Sequence, residues 1–138
     1  MTDRLISEMV RNQRPLTLHT DATVAQVCGQ MDERRVGAVL VTDADDHLVG
    51  IVTGRDALQM LAHRRATESP HGTVMTRSPD TMPPGRMAMD ALRLMQDGGF
   101  RHVPVVDRGC VVGVMSWGDL RPSEHDRLAI ETNFWERI

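Results

Sequence analysis

Val49-Gly50-Ile51-Val52-Thr53-Gly54-Arg55-Asp56 is written a second time, 63 positions later, as Val112-Gly113-Val114-Met115-Ser116-Trp117-Gly118-Asp119. The match continues upstream at an offset of 64, one residue being lost in the turn between. Val39-Leu40-Val41-Thr42-Asp43 answers Val103-Pro104-Val105-Val106-Asp107. Val24, Val27, Cys28 and Met31 answer Ala88, Ala91, Leu92 and Met95. Pro15-Leu16-Thr17-Leu18 answers Pro79-Asp80-Thr81-Met82. A fixed-offset match over so many positions is an internal duplication. Its copies are residues 15–56 and 79–119. Two such copies packed together would enclose a cleft with two related sites.

Each copy reads as strand, helix, strand, strand, helix. Leu16–Leu18 is a short extended piece, and Asp21 is a candidate N-cap. Val24, Val27, Cys28 and Met31 then mark one helical face. Val36–Thr42 and Leu48–Val52 are apolar, β-branched runs joined by the polar turn Asp43–His47, which predicts a hairpin. A second helix is expected from about Asp56 to Arg65. In the second copy, a helix is expected over Met87–Gln96, ended by Gly98-Gly99. The strands Val103–Val106 and Val111–Met115 follow, joined at Asp107-Arg108-Gly109. Pro104 has no N–H for a ladder and belongs at an edge or outside the pairing. Ala66–Gly72 reads as the linker. Pro122 stops the preceding element, and Ser123 can cap a last helix over about Glu124–Glu131. The expected division is 1–66, first repeat; 67–122, second repeat; 123–138, helical tail. Together they would form one compact module.

At 138 residues the chain can bury a real core, and 41% apolar with 25% charged residues is ordinary for a globular protein. Aromatics make up only 3%, so Met, Leu and Val must fill the interior. A net charge of −3, with 16 basic residues spread among 19 acidic ones, argues against nucleic acid and anionic membrane surfaces. No apolar run reaches the roughly 18–20 residues of a membrane span. Met1-Thr2-Asp3-Arg4 lacks the order of a signal peptide, and a cytoplasmic protein is expected. Cys28 and Cys110 fall in unrelated settings, which suggests free thiols.

The strand–helix–strand–strand–helix order, with Gly50-Ile51-Val52-Thr53-Gly54-Arg55-Asp56 closing the third strand, resembles the CBS domain. So does Arg101-His102-Val103-Pro104-Val105-Val106-Asp107. The duplication resembles a CBS pair, or Bateman module, over residues of about 5–120. The resemblance implies an α/β (α+β) fold of two tandem β-α-β-β-α repeats packed with pseudo-twofold symmetry, plus a short C-terminal helix. It further implies a stand-alone regulatory module, usually dimeric, with AMP, ADP, ATP or S-adenosylmethionine as ligand and no obligatory cofactor. Dimerisation would be isologous.

Thr53-x-x-Asp56 and Ser116-x-x-Asp119 each lie where a strand hands over to a helix. Free N–H groups there favour an anion. A carboxylate only accepts, and can take both hydroxyls of a ribose. The same spacing is also a capping box, which needs no ligand. The family motif carries the nucleotide role onto Thr53, Asp56, Ser116 and Asp119. Arg101 and His102 open the central strand of the second copy, where the family faces phosphate. Arg offers bidentate, charge-assisted contacts there. Gly37 and Ala38 hold that place in the first copy, so the two sites should be unequal. Arg55 and Arg121 can add positive charge. Thr17 and Thr81 fall in the strand that lines the adenine pocket in the family, with Val36 and Phe100 as candidate apolar walls. All four also fit as core or strand-face residues. Trp117 stands where the family is polar or small, and can stack on a base or bury itself at a dimer contact.

No His falls in metal-ligand spacing. Asp43, Asp45, Asp46 and His47 look metal-like but fit a solvated turn. No nucleophile–base set is present, so no enzymatic activity is expected. The leading expectation is a sensor that binds an adenine nucleotide and acts on an unidentified effector protein. The alternative is a ligand-free interaction module working through its dimer surface and the tail bearing Phe134 and Trp135.

Overall fold

The chain opens with a short helix, α1 (Ile6–Val10), before the first repeat. That repeat runs β1 (Thr17–His19), α2 (Val24–Arg34), β2 (Ala38–Thr42), β3 (Leu48–Thr53) and α3 (Gly54–Ala62). After it come β4 (Thr76–Arg77), α4 (Ala88–Gly98), β5 (His102–Asp107) and β6 (Cys110–Ser116), then a 3-10 turn at Trp117–Asp119 and α5 (Pro122–Glu136). These elements come from a computed structural model, which describes residues 3–63 and 75–136, the last two without side chains. The expected linker 66–72, the boundary at 66/67, the end of the second helix at Arg65 and the Trp135 side chain lie outside the described residues.

The chain forms two compact units that do not follow the order of the repeats. One comprises Arg14–Asp80 with Arg108–Val111. The other comprises Met1–Gln13, Thr81–Asp107 and Val112–Ile138. Helix α1 thus folds with the second repeat, and α5 starts at Pro122, across the expected tail boundary.

In the first-repeat unit the sheet order is β1-β2-β3-β4. Strand β1 pairs with β2 in parallel, Thr17 opposite Leu40. Strand β3 pairs antiparallel with β2, Ala38 opposite Thr53, and with β4, Ile51 opposite Thr76. All of β2 is buried, as its unbroken apolar run requires. Val27 and Met31 of α2 pack on Val39, Val41 and Val52. The cap of α2 is Thr23, not Asp21. Its hydroxyl accepts the Gln26 N–H at 3.2 Å, while the Gln26 side chain accepts the Thr23 N–H at 2.8 Å. A reciprocal capping box satisfies two orphan donors where an isolated Asp satisfies one.

The second-repeat unit fills its core from the equivalent positions: Ala91, Met95, Val103, Val105 and Met115. Ile6 and Val10 of α1 and Leu128 of α5 complete it. Gly113 is required here, because a Cβ would overlap Val10. Strands β5 and β6 are joined at Arg108 and Gly109, both at positive φ (52° and 82°), which matches the right-handed strand twist of a tight hairpin.

The second copy departs from the expected order at both ends. Its entry strand shrinks to one parallel bridge, Met82 to Val105. In the first repeat the Leu40 N–H donates to the Leu16 carbonyl at 2.9 Å. Pro104 holds Leu40's place and has no N–H to donate, so that rung is lost. Pro104 still accepts from the Met82 N–H at 3.1 Å. At the other end, the helix expected after β6 begins as a 3-10 turn and breaks at Leu120. It resumes at Pro122, an allowed first helical residue rather than a stop.

Candidate functional site

The same backbone contact organises both strand-to-helix corners. In the first repeat the Gly54 N–H donates to the Gly37 carbonyl at 3.1 Å; in the second, the Trp117 N–H donates to the Arg101 carbonyl at 2.9 Å. This brings Gly37, Ala38, Thr53, Arg55 and Asp56 to one corner of the first-repeat unit. Arg101, His102, Ser116 and Asp119 meet at the equivalent corner of the second.

Thr53 caps α3. Its N–H donates to Asp56 Oδ2 at 2.8 Å, its hydroxyl donates to the same oxygen at 3.2 Å, and the Asp56 N–H lies 3.4 Å from Thr53 Oγ1. The Ser116 N–H likewise donates to Asp119 Oδ2 at 2.8 Å. The capping role of both motifs is therefore real. In each, one carboxylate oxygen is spent on the backbone. Among the described residues, Oδ1 of Asp56 and of Asp119 accepts no hydrogen bond. An ionised carboxylate with an open oxygen remains an acceptor for hydroxyl groups.

The corners differ in side chains. At the first, Gly37 and Arg55 are exposed and Ala38 is buried. At the second, Arg101 is exposed and lies over the Trp117 ring, its guanidinium carbon 5.3 Å from the ring centroid. The Trp117 ring also meets the His125 imidazole, centroids 4.8 Å apart and tilted by 43°, and the Trp117 carbonyl lies 3.1 Å from His125 Nε2. Trp117 is thus engaged within its own unit. Burial pushes the His102 imidazole below its ordinary value, and the nearby Asp119 carboxylate partly opposes this.

The remaining expected residues lie around these corners. Thr17 is exposed on β1 and Thr81 is exposed beside the Met82 bridge. Val36 is 37% exposed, and its N–H donates to the Met31 carbonyl at 3.1 Å. Phe100 repeats that bond to Met95 at 3.1 Å, with its ring lying over Gly98.

Three residues with a part in the second corner escaped the sequence reading. Arg4 donates through Nη2 to the Asp119 carbonyl at 3.2 Å and pairs with Glu124, which is buried, at 2.5 Å. His125 is the third. No spacing rule joins residues at positions 4, 119 and 124. The one legible signal was Glu124, three residues after Arg121 at a helix start, whose N–H it accepts at 2.7 Å. At the hairpin turn, Asp43, Asp45 and His47 each bring a donor atom within 4.8 Å of the others. Asp43 Oδ1 already accepts the N–H groups of Asp45 and His47 at 2.9 and 3.0 Å, which is turn chemistry.

No helix among the described residues is long and apolar enough to cross a membrane. The family model for the CBS domain matches twice, at residues 6–63 and 72–123. A CBS domain-containing protein of Arabidopsis thaliana is 34% identical over 122 residues. These make up 87% of this chain and 22% of the relative, so the chain spans about a fifth of that protein's length. Among solved structures, a CBS domain protein from Pyrobaculum aerophilum complexed with AMP superimposes with a TM-score of 0.83. It is 30% identical, and the match covers 91% of this chain and 98% of that one. A CBS domain pair in complex with 5′-methylthioadenosine and S-adenosyl-L-methionine shares the fold at a TM-score of 0.79 and 22% identity, over 95% of this chain and 99% of that one. With the duplicated Gly-hydrophobic-hydrophobic-Thr/Ser-x-x-Asp corner present in both repeats, the chain belongs to the CBS domain family and carries two CBS repeats in tandem.

Proposed function

We propose that the chain is a non-catalytic regulatory module that binds an adenosine-containing ligand and reports it to an effector protein. The observation that carries this reading is the pair of corners at Thr53/Asp56 and Ser116/Asp119. Each spends one carboxylate oxygen on its own backbone and leaves the other open. An open carboxylate oxygen suits ribose hydroxyls. The 30% identical AMP complex supports adenosine as the base-bearing part. In this reading Asp119 and Ser116 hold the sugar, Arg101 and His102 meet phosphate, and Thr81 and Phe100 flank the base. Asp56, Thr53, Thr17, Val36, Gly37 and Ala38 form the first-repeat counterpart, with Arg55 adding charge. AMP, ADP, ATP and S-adenosylmethionine are the candidate ligands, and an isologous homodimer in the cytoplasm is the working state.

Thermal shift with each candidate ligand, with NAD and GTP as comparators, tests the reading on wild type, Asp56→Ala and Asp119→Ala. A ligand bound only by the native state raises its stability by mass action. An adenosine ligand should raise the wild-type melting temperature, and Asp119→Ala should lose most of the rise. No shift with any ligand at millimolar concentration would overturn the reading. It would favour an interaction module working through its dimer surface and the tail bearing Phe134 and Trp135; Leu58 and Leu61 of α3 are exposed on one unit and Ile130 of α5 on the other.

A further inference from the structure

We propose that Trp117 is a positioning residue that holds the Arg101 guanidinium ready for a phosphate and so makes the second-repeat site select phosphorylated over unphosphorylated adenosine ligands. This inference rests on the nucleotide reading above.

The argument begins with Arg101 itself. It is exposed, and among the described residues it pairs with no carboxylate. Its side-chain contact is the Trp117 ring, 5.3 Å from guanidinium carbon to centroid. A cation is drawn to the face of an indole. A guanidinium held over a ring spends none of its N–H donors on a hydrogen bond, and a phosphate can take two of them at once. An unrestrained arginine loses much rotamer freedom when a ligand immobilises it, and prior ordering removes that cost from binding.

Trp117 is itself well held. Its N–H bonds the Arg101 carbonyl at 2.9 Å, its carbonyl lies 3.1 Å from His125 Nε2, its ring meets the His125 ring, and it packs against the apolar core of its unit. The pair is thus tied twice, through the backbone and through the side chains. The first repeat supplies the control. The same backbone bond joins Gly37 and Gly54 at 3.1 Å, and there neither partner carries a side chain. Both members of the cation–π pair are present in one repeat and both are missing in the other. Two residues after Trp117 stands Asp119, with its open Oδ1. A carboxylate acceptor at the same corner as a guanidinium held over an indole and pairing with no carboxylate among the described residues fits a sugar hydroxyl joined to a phosphate. It gives no such complement to a neutral nucleoside.

Calorimetric titration with AMP and with adenosine tests this on wild type, Trp117→Leu, Trp117→Phe, Arg101→Ala and the double variant Arg101→Ala/Trp117→Leu. Wild type should prefer AMP. Trp117→Leu should weaken AMP by about two- to fivefold, the range of an exposed cation–π contact, and leave adenosine unchanged. Trp117→Phe should keep part of the preference and guards against loss of fold. In the Arg101→Ala background, Trp117→Leu should leave the AMP-to-adenosine ratio where it was. Equal weakening of both ligands by Trp117→Leu, or an unchanged ratio, would overturn the proposal. Equal wild-type affinity for AMP and adenosine would overturn it alone and keep the nucleotide reading. A wild type that binds neither would overturn it as well, whereas the nucleotide reading falls only if the thermal-shift panel also finds no ligand.

Discussion

Arg35 occupies, at the end of α2, the left-handed position that Gly99 occupies at the end of α4. Their backbones lie at φ 54°, ψ 44° and φ 72°, ψ 24°. Glycine adopts this conformation without penalty, whereas a Cβ is crowded there. The helix-ending geometry is the same in both repeats, because both following N–H groups return to the last turn: Val36 to Met31 and Phe100 to Met95, each at 3.1 Å. Arg35→Gly should therefore stabilise the protein by about 0.5–1 kcal/mol, part of the relief being offset by the freer unfolded chain. Gly99→Ala should destabilise it by about 1 kcal/mol. Urea titrations with unchanged slope check both. A destabilised Arg35→Gly would show that the left-handed cap is not a source of strain.

The side chain of Gln13 stands in for a strand. In the first repeat, Ile51 of β3 pairs with Thr76 of β4. Its counterpart Val114 instead receives the Gln13 amide, which donates to the Val114 carbonyl at 3.0 Å and accepts its N–H at 2.8 Å. Gln13→Ala should cost about 1–2 kcal/mol, since it strips two half-buried backbone groups of their partner. Hydrogen exchange at the Val114 amide should accelerate in the same variant. An unchanged exchange rate would refute the stand-in.

Arg4 and Glu124 form the ion pair with the most at stake, their side chains being 23% and 8% exposed. Burial pushes the Glu124 carboxyl up, but Arg4 and the Arg121 N–H outweigh it and hold the group below its ordinary value of 4.5. A depressed carboxyl contributes stability that is present above its unfolded value and lost as pH falls through the folded one. Wild type should therefore weaken as pH drops below about 4.5, and Arg4→Ala should show a shallower acid loss. At neutral pH Arg4→Ala should cost about 2–3 kcal/mol, because it strands a buried carboxylate. Denaturation at pH 7 and pH 3.5 separates the two effects. Parallel acid profiles in both proteins would rule out this pair as their source.

His102 adds a second acid-side loss in a higher pH window. Burial lowers its pKa below the ordinary 6.5. Between the folded and unfolded values the unfolded chain binds the extra proton, so stability is full above about 6.5 and falls as pH drops below it. His102→Gln should remove that step. Asp119→Asn should deepen it, because the Asp119 carboxylate raises the histidine. Melting temperatures between pH 7.5 and 5.5 are the measurement, and a wild-type profile flat across that window would sink the assignment.

The duplication alone was enough to lay out the repeats, the buried faces and the two corners. Val27 and Met31, like Ala91 and Met95, follow helical spacing, and Val39–Val41 and Val103–Val105 are apolar runs. Side-chain period is a local property that the order of residues records. The paired Thr53/Asp56 and Ser116/Asp119 boxes were legible for the same reason, since both partners lie within one turn. The departures were not. The missing N–H of Pro104 places it at an edge or outside the pairing, but the rung it removes is visible only against the Leu40–Leu16 bond. The strand partner of Val114 is a side chain 101 residues away. Arg4 reaches Glu124 across 120 residues, and Trp117 takes up Arg101, just ahead of β5, and His125 of α5. Such contacts depend on which surfaces tertiary packing brings within a few ångströms. Because each one alone is worth little beside the apolar core, local sequence pattern carries no trace of them.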